Sequence, residues 1–206
     1  MIGNQPREQE TERLLQQLRA TYQELRMAVR ERWDRDLPLD ELLFDRWERA
    51  RTLGFGEGTS IYQSCHVFGD VMIGRNSWIG PFTILEGVGG IRIGSNCSIS
   101  SGVQIYTHDS VRWALSGGTA AYERSPVAVG DCTYIGSQSV IAKGVTIGDH
   151  VVVGACSFVN RDIPPYSIAA GVPARVIGRV EIDGEDIRLS IERRDDAPFI
   201  FTNPLP

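Results

Sequence analysis

Aliphatic residues fall at every sixth position through much of this chain, and that spacing constrains the fold more than any other feature. Ile61, Val67, Ile73, Ile79 and Leu85 are each six residues from the last. A two-residue slip at EGVGGIRI precedes Ile93, Ile99 and Ile105; after a gap, Val129, Ile135, Ile141, Ile147, Val153 and Val159 resume the count. The residue after a slot is usually tiny, as at Gly74, Gly80, Gly94, Ser100, Gly130, Gly136, Ala142, Gly148 and Gly154. The fourth residue after is small or β-branched, as at Cys65, Val71, Ser77, Thr83, Cys97, Val103, Thr133, Ser139, Val145, Val151 and Ser157. Three registers in agreement specify an internal repeat.

Each hexad supplies one short strand and one turn, and three hexads close a triangular coil. Coils stack at the strand spacing of about 4.7–4.9 Å. The aliphatic slot points into the prism, and a small residue follows because the corner is tight. One coil cannot bury its own apolar face, so several must stack. Fourteen slots make between four and five coils. The expected fold is an all-β solenoid, a parallel β-helix. In this register Cys65 and Cys97 take small inward positions, where a thiol packs as a compact hydrophobe. Cys132 and Cys156 fall near corners, and no CxxC or short ligand cluster is present.

The rest of the chain flanks this repeat. Leu14, Leu18, Tyr22, Leu25, Val29 and Trp33 share one helical face, which predicts an amphipathic helix over 7–35. DLPLDELLFDRWERARTLG predicts a second helix, with Asp40 as its N-cap and Leu43 and Trp47 on one side. VEIDGEDIRL reads as a terminal hairpin around a DG turn, and Phe199 to Phe201 as a docking segment. The organisation is therefore an N-terminal helical segment (1–55), the β-helix (56–178) and a C-terminal hairpin and tail (179–206). The 206 residues carry a net charge of −5 and a hydrophobic share of 42%, as in a soluble globular protein without a nucleic-acid or anionic-membrane surface. No apolar run spans a bilayer and the polar N-terminus is not a secretory signal, so the expected location is cytoplasmic.

VAVGDCTYIGSQSVIAKGVTIGDHVVVGACSFVNRDIPPYSIAAGVPARVIG, residues 127–178, resembles the C-terminal half of the hexapeptide-repeat acyltransferases, which include maltose, galactoside and O-antigen O-acetyltransferases. The resemblance covers about residues 60–180, and DIPPYSIAAGVPARVIG is its most specific stretch. It implies a left-handed β-helix, acetyl-CoA as donor, a homotrimer and active sites between adjacent prisms. It also implies a catalytic histidine where an extruded loop leaves the helix. That position is matched by His108 in YTHD, with 106–126 as the loop. The chain departs from the maltose and galactoside enzymes: it has WIGPFTILEG in place of an Asn-rich stretch before TIL, and it lacks their N-terminal helical motif. Tyr134 stands where many relatives have Trp. These departures favour an acceptor sugar from polysaccharide or glycoconjugate assembly.

A thioester donor is already activated, so the chemistry needs a base for the acceptor and a donor for the oxyanion. Imidazole, with an ordinary pKa of about 6.5, suits the first task at neutral pH. The resemblance gives the amide of Ser137 the second. Asp109 is a candidate to orient the imidazole or line the site. Glu86 is a candidate to orient His108 or grip the acceptor, and equally reads as a solvated turn carboxylate. For coenzyme A, the resemblance carries over Ser137, Ala155, Asn160, Arg161 and Arg175, the two arginines meeting phosphates. Trp113 and Tyr122 either stack on a ligand or dock the loop on its own subunit. Lys143 and His150 read as solvated corner residues, and His66 has no assigned role. Carbonic anhydrases of the γ type use the same prism with three zinc-ligating histidines, two of them five residues apart; His66, His108 and His150 lack that spacing, so no metal is expected.

The leading expectation is an acetyl-CoA-dependent sugar O-acetyltransferase with a carbohydrate acceptor. N-acetylation of an amino sugar or nucleotide-linked amino sugar is the alternative. A catalytically silent trimeric scaffold is the reading from another class.

Overall fold

A computed structural model describes residues 5–191; the Phe199 to Phe201 segment lies outside them. Six strands stack in parallel on the first face of a solenoid: Ser60–Ile61, Trp78–Ile79, Ser98–Ile99, Tyr134–Ile135, Val152–Val153 and Ser167–Gly171. The regular step is 18 residues, Ser60 pairing with Trp78 and Tyr134 with Val152. Ser98 pairs with Tyr134, 36 residues on, which is one coil plus an insertion of equal length. The loop therefore leaves the solenoid and the coil closes behind it in register. The final step, Val152 to Ile168, is shortened to 16 residues. Ile163 and Ala169 are buried there, extending the solenoid past the last slot recognised from the six-residue count.

Every first-face slot through Val153 is fully buried, and the axial column continues through Leu85, Ile105 and Ile141 on the second face. The small inward residues carry a second function. Thr59, Ser77, Cys97 and Thr133 donate to the carbonyls of Gly74, Gly94, Gly130 and Gly148 at 2.7, 3.1, 3.1 and 3.0 Å. A short hydroxyl or thiol thus satisfies a carbonyl that the corner takes out of the ladder. Cys132 and Cys156 are exposed at corners with φ of 55°, while burial pushes the thiols of Cys65 and Cys97 up. Gly136 shows why the position after a slot stays small: a Cβ there would lie 2.5 Å from the amide nitrogen of Ala155 in the next coil.

The helical segment closes the first coil. The long helix spans Gln5–Trp33, with Tyr22, Leu25 and Val29 half-buried and Leu14, Leu18 and Trp33 exposed. The expected single second helix is two short ones, Leu39–Leu43 and Arg46–Thr52, because Phe44 and Asp45 adopt extended backbone between them. Asp45, not Asp40, is the cap, accepting from the amides of Trp47 and Glu48 at 2.9 and 2.8 Å. Ala50 and Phe55 join the core, while Arg49 donates to the carbonyls of Tyr62 and, at 2.8 Å, Cys65. Glu41 accepts from the amides of Gln63 and Ser64. At the other end, Ala174–Asp183 pairs antiparallel with Ser167–Gly171 and with Asp186–Ile191, the latter forming the expected hairpin. No helix among the described residues is long and apolar enough to cross a membrane.

Because the aliphatic column is continuous, truncating one slot leaves a void that its neighbours above and below cannot fill. Ile141→Ala is expected to cost about 2–5 kcal/mol of stability, read as a lowered urea midpoint; an unchanged midpoint would contradict a packed axial core.

Candidate active site

The two-residue slip at EGVGG builds a socket. The strand Ile84–Ile93 runs through it, turning a corner of the prism, with Leu85 on one face and Ile93 on the next. Glu86 opens the turn and is buried. Its Oε1 accepts from the Val88 amide at 3.1 Å, and its Oε2 from the Thr107 amide at 3.0 Å and hydroxyl at 3.2 Å. Thr107 is itself held, its hydroxyl donating to the Glu86 carbonyl at 2.7 Å and accepting from the Gly89 amide at 2.7 Å. The extra residues supply the amides that fix the carboxylate.

Next to Thr107 comes His108, where the chain leaves the solenoid. Its Nδ1 lies 2.7 Å from Glu86 Oε2. Nδ1 is buried and has no well-aligned hydrogen bond, so the contact is at ion-pair distance but off the ring N–H direction. We read it as the His108–Glu86 pair, since Glu86 is the carboxylate Nδ1 faces and such contacts tighten when substrate closes a site. Burial pushes the Glu86 carboxyl up; the imidazole and the Thr107 and Val88 amides together outweigh that and hold it below its ordinary value. An ionised carboxylate at Nδ1 places the ring proton there and leaves Nε2 as the basic atom.

Asp109, expected as a candidate to orient His108, does something else. It pairs with Lys143 at 2.7 Å and accepts from the Val111 amide at 3.0 Å, and these hold its carboxyl below the ordinary range. Lys143, expected to be solvated, also pairs with Glu123, which pairs with Arg112 at 2.7 Å. The strands His108–Asp109 and Glu123–Arg124 form a two-stranded ribbon at the loop's root, and Lys143 of the following coil ties both strands down. Beyond it, Trp113 and Tyr122 pack edge-on at 5.8 Å, and Tyr122 lies 6.0 Å from the His108 ring. The two aromatics thus pack on their own loop. His150 stacks on Tyr166 at 4.8 Å, away from this cluster.

The residues expected to meet coenzyme A gather toward the C-terminal end. Ser137 and Ala155 occupy one corner in successive coils, the Cys156 amide donating to the Ser137 carbonyl at 2.8 Å. The amides either side of Ser137 are engaged, Gly136 to Val153 at 2.8 Å and Gln138 to Ser101 at 3.0 Å, while that of Ser137 donates to no backbone carbonyl among the described residues. Gly154 packs against Ala170, which pairs with Arg175. Arg175 and Arg161 line one cleft of about 150 Å³ with Val159, Ala169 and Ala174. Neither arginine has an ion-pair partner among the described residues, and Asn160 is exposed beside Arg161. If this cleft holds the donor's phosphates, Arg161→Ala and Arg175→Ala each raise KM for acetyl-CoA about tenfold, an effect that added salt narrows; an unchanged KM would exclude it.

Comparison with known proteins accords with this geometry. Residues 126–161 match the model described as bacterial transferase hexapeptide (six repeats), and 70–107 that of the hexapeptide repeat of succinyl-transferase. The chain is 33% identical over 128 residues to galactoside O-acetyltransferase of Escherichia coli strain K12, covering 52% of this chain and 63% of that enzyme, less than two thirds. A maltose O-acetyltransferase from Clostridium difficile 630 is 31% identical, with TM-score 0.60, over 82% of this chain and 89% of that one. A variant of AntD, an N-acyltransferase from Bacillus cereus in complex with dTDP and coenzyme A, is 32% identical, with TM-score 0.55, over 61% and 72%. A corner-stacked solenoid with these matches has one family assignment: the chain is a left-handed β-helix protein belonging to the hexapeptide-repeat acyltransferases.

Proposed function

We propose that this protein transfers an acetyl group from acetyl-CoA to a sugar hydroxyl, with His108 as the general base. The carrying observation is the His108–Glu86 pair at the junction of solenoid and loop: a carboxylate pinned by two amides, an imidazole whose Nδ1 lies 2.7 Å from it, and Nε2 left for the acceptor. Acetyl-CoA supplies a thioester carbonyl already open to attack. Nε2 takes the proton of the acceptor hydroxyl as its oxygen attacks, and Glu86 stabilises the imidazolium that results. The Ser137 amide faces the developing oxyanion, and the imidazolium returns its proton to the departing thiolate. Glu86 acts through His108 and is a positioning residue. Asp109 serves the loop root rather than the proton transfer. Arg161, Arg175, Ala155 and Asn160 hold the donor, and the working unit is a cytoplasmic homotrimer.

The likeness to AntD favours a second reading, N-acetylation of an amino sugar. The same dyad serves it, because an ammonium acceptor must also lose a proton before attack. Thiol release measured with matched hydroxyl and amino sugars separates the two. Release with hydroxyl acceptors supports the first reading; release confined to amino acceptors overturns it in favour of the second.

A further inference from the structure

The ribbon at the loop root has two faces, and its register says what each carries. Asp109 lies opposite Glu123, and His108 opposite Arg124. Directly opposed residues of an antiparallel pair project to the same side, with Cβ atoms about 4.5–5.5 Å apart. One face is accounted for, since Asp109 and Glu123 both grip Lys143. The other face therefore holds His108 and Arg124 side by side. Tyr122, two residues before Arg124, is on that face too, its ring 6.0 Å from that of His108.

Arg124 differs from the other cations around the site. Lys143 is neutralised by Asp109 and Glu123, Arg112 by Glu123, and Arg92 by Asp70 at 2.6 Å. Arg124 is exposed and makes no ion pair among the described residues. The carboxylate that faces His108, Glu86, is already occupied by two amides and the imidazole. A guanidinium fork on the residue directly opposite the base, with no carboxylate of its own, is a recognition group for an anion on the acceptor.

We infer that Arg124 is a specificity-determining residue that binds an anionic group of the acceptor, a carboxylate or phosphate about one sugar ring from the hydroxyl or amine presented to His108. This rests on the reading of His108 as the base and narrows the acceptor from sugars in general to acidic sugars. Tyr122 packs on Trp113 yet stays partly exposed on the same face, where the ring between the two groups would pass.

The test reads binding at His108 without requiring turnover. In the intact protein saturated with coenzyme A, the His108 ring resonance is assigned by its loss in His108→Ala. It is then followed as galactose, galacturonate or galactose 6-phosphate is added at constant ionic strength. The expected result is a saturable shift with galacturonate or galactose 6-phosphate at concentrations at least about tenfold below those needed with galactose. Whichever of the two acts identifies carboxylate or phosphate. Arg124→Gln abolishes that preference and Arg124→Lys keeps part of it, with affinity for coenzyme A unchanged in both. Acidic sugars acting no better than galactose, no saturable shift with any of the three, or a preference that survives Arg124→Gln would each overturn the proposal. Loss of the base reading would show differently, as turnover retained by His108→Ala.

Discussion

Replacing His108 with alanine is expected to lower acetyl transfer roughly a hundred- to ten-thousand-fold while leaving affinity for acetyl-CoA unchanged. The range is what a positioned general base contributes. The separation of effects follows from geometry: His108 stands at the loop junction, whereas Arg161 and Arg175 line a cleft at the C-terminal end of the solenoid. Stability should fall only modestly, because the ring is partly exposed and outside the axial core, and the Glu86 carboxylate keeps its bonds to the Val88 and Thr107 amides. Turnover with saturating acetyl-CoA, set beside a thermal shift with coenzyme A, checks both halves. A variant that loses both activities equally would place His108 in the donor site instead.

Glu86 gives the second large effect, and two substitutions divide it. Glu86→Gln keeps the shape but not the charge, and its amide nitrogen meets groups that donate. Transfer should fall about a hundredfold, with KM for acetyl-CoA unmoved, because the imidazolium loses its counter-charge. Glu86→Ala removes the acceptor altogether and leaves the buried Thr107 amide without it, about 1–3 kcal/mol of destabilisation, while the exposed Val88 can turn to water. The pH dependence has a definite sign. The folded-state carboxyl is held below its ordinary value, so its stabilising effect is present above about pH 4.3, the ordinary glutamate pKa, and is lost as pH falls through the lower folded value. The stability gap between the wild type and Glu86→Gln should therefore be constant near neutrality and narrow below about pH 4. A gap that widens in acid would mean the carboxyl is protonated in the folded protein.

Much of this was legible along the chain because a repeat writes its contacts locally. Each slot packs on its own counterpart one coil away, so spacing alone located Ile61 through Val159 and the inward cysteines, all buried except the half-buried Val67. The last coil escaped because its period is shortened by two residues, taking Ile163 out of count. The break at Phe44 was visible in principle: Asp45 followed three residues later by Glu48 is a capping pattern, and it outcompetes Asp40. The site was harder because its contacts cross the chain. Glu86 and Asp109 were both candidate partners for His108, and nothing along the chain separated them, since Glu86 read equally as a solvated turn carboxylate. The fold brings Glu86 in from the preceding coil and gives Asp109 to Lys143. The EGVGG slip was the available signal, since two extra residues in a strict repeat must be accommodated by a local structure. Arg124 carried no signal at all, because its place beside His108 exists only in the pairing of the ribbon.

The central claim is that the His108–Glu86 pair serves acyl transfer from acetyl-CoA rather than the stability of an inert scaffold. Acetyl-CoA labelled with ¹³C in the acetyl group, incubated with the protein and a panel of neutral, acidic and amino sugars, tests it most directly. The account predicts a labelled sugar ester formed together with free thiol, and abolished by His108→Ala in protein that still binds coenzyme A. No labelled product from any acceptor, with no thermal shift on adding acetyl-CoA, would contradict it.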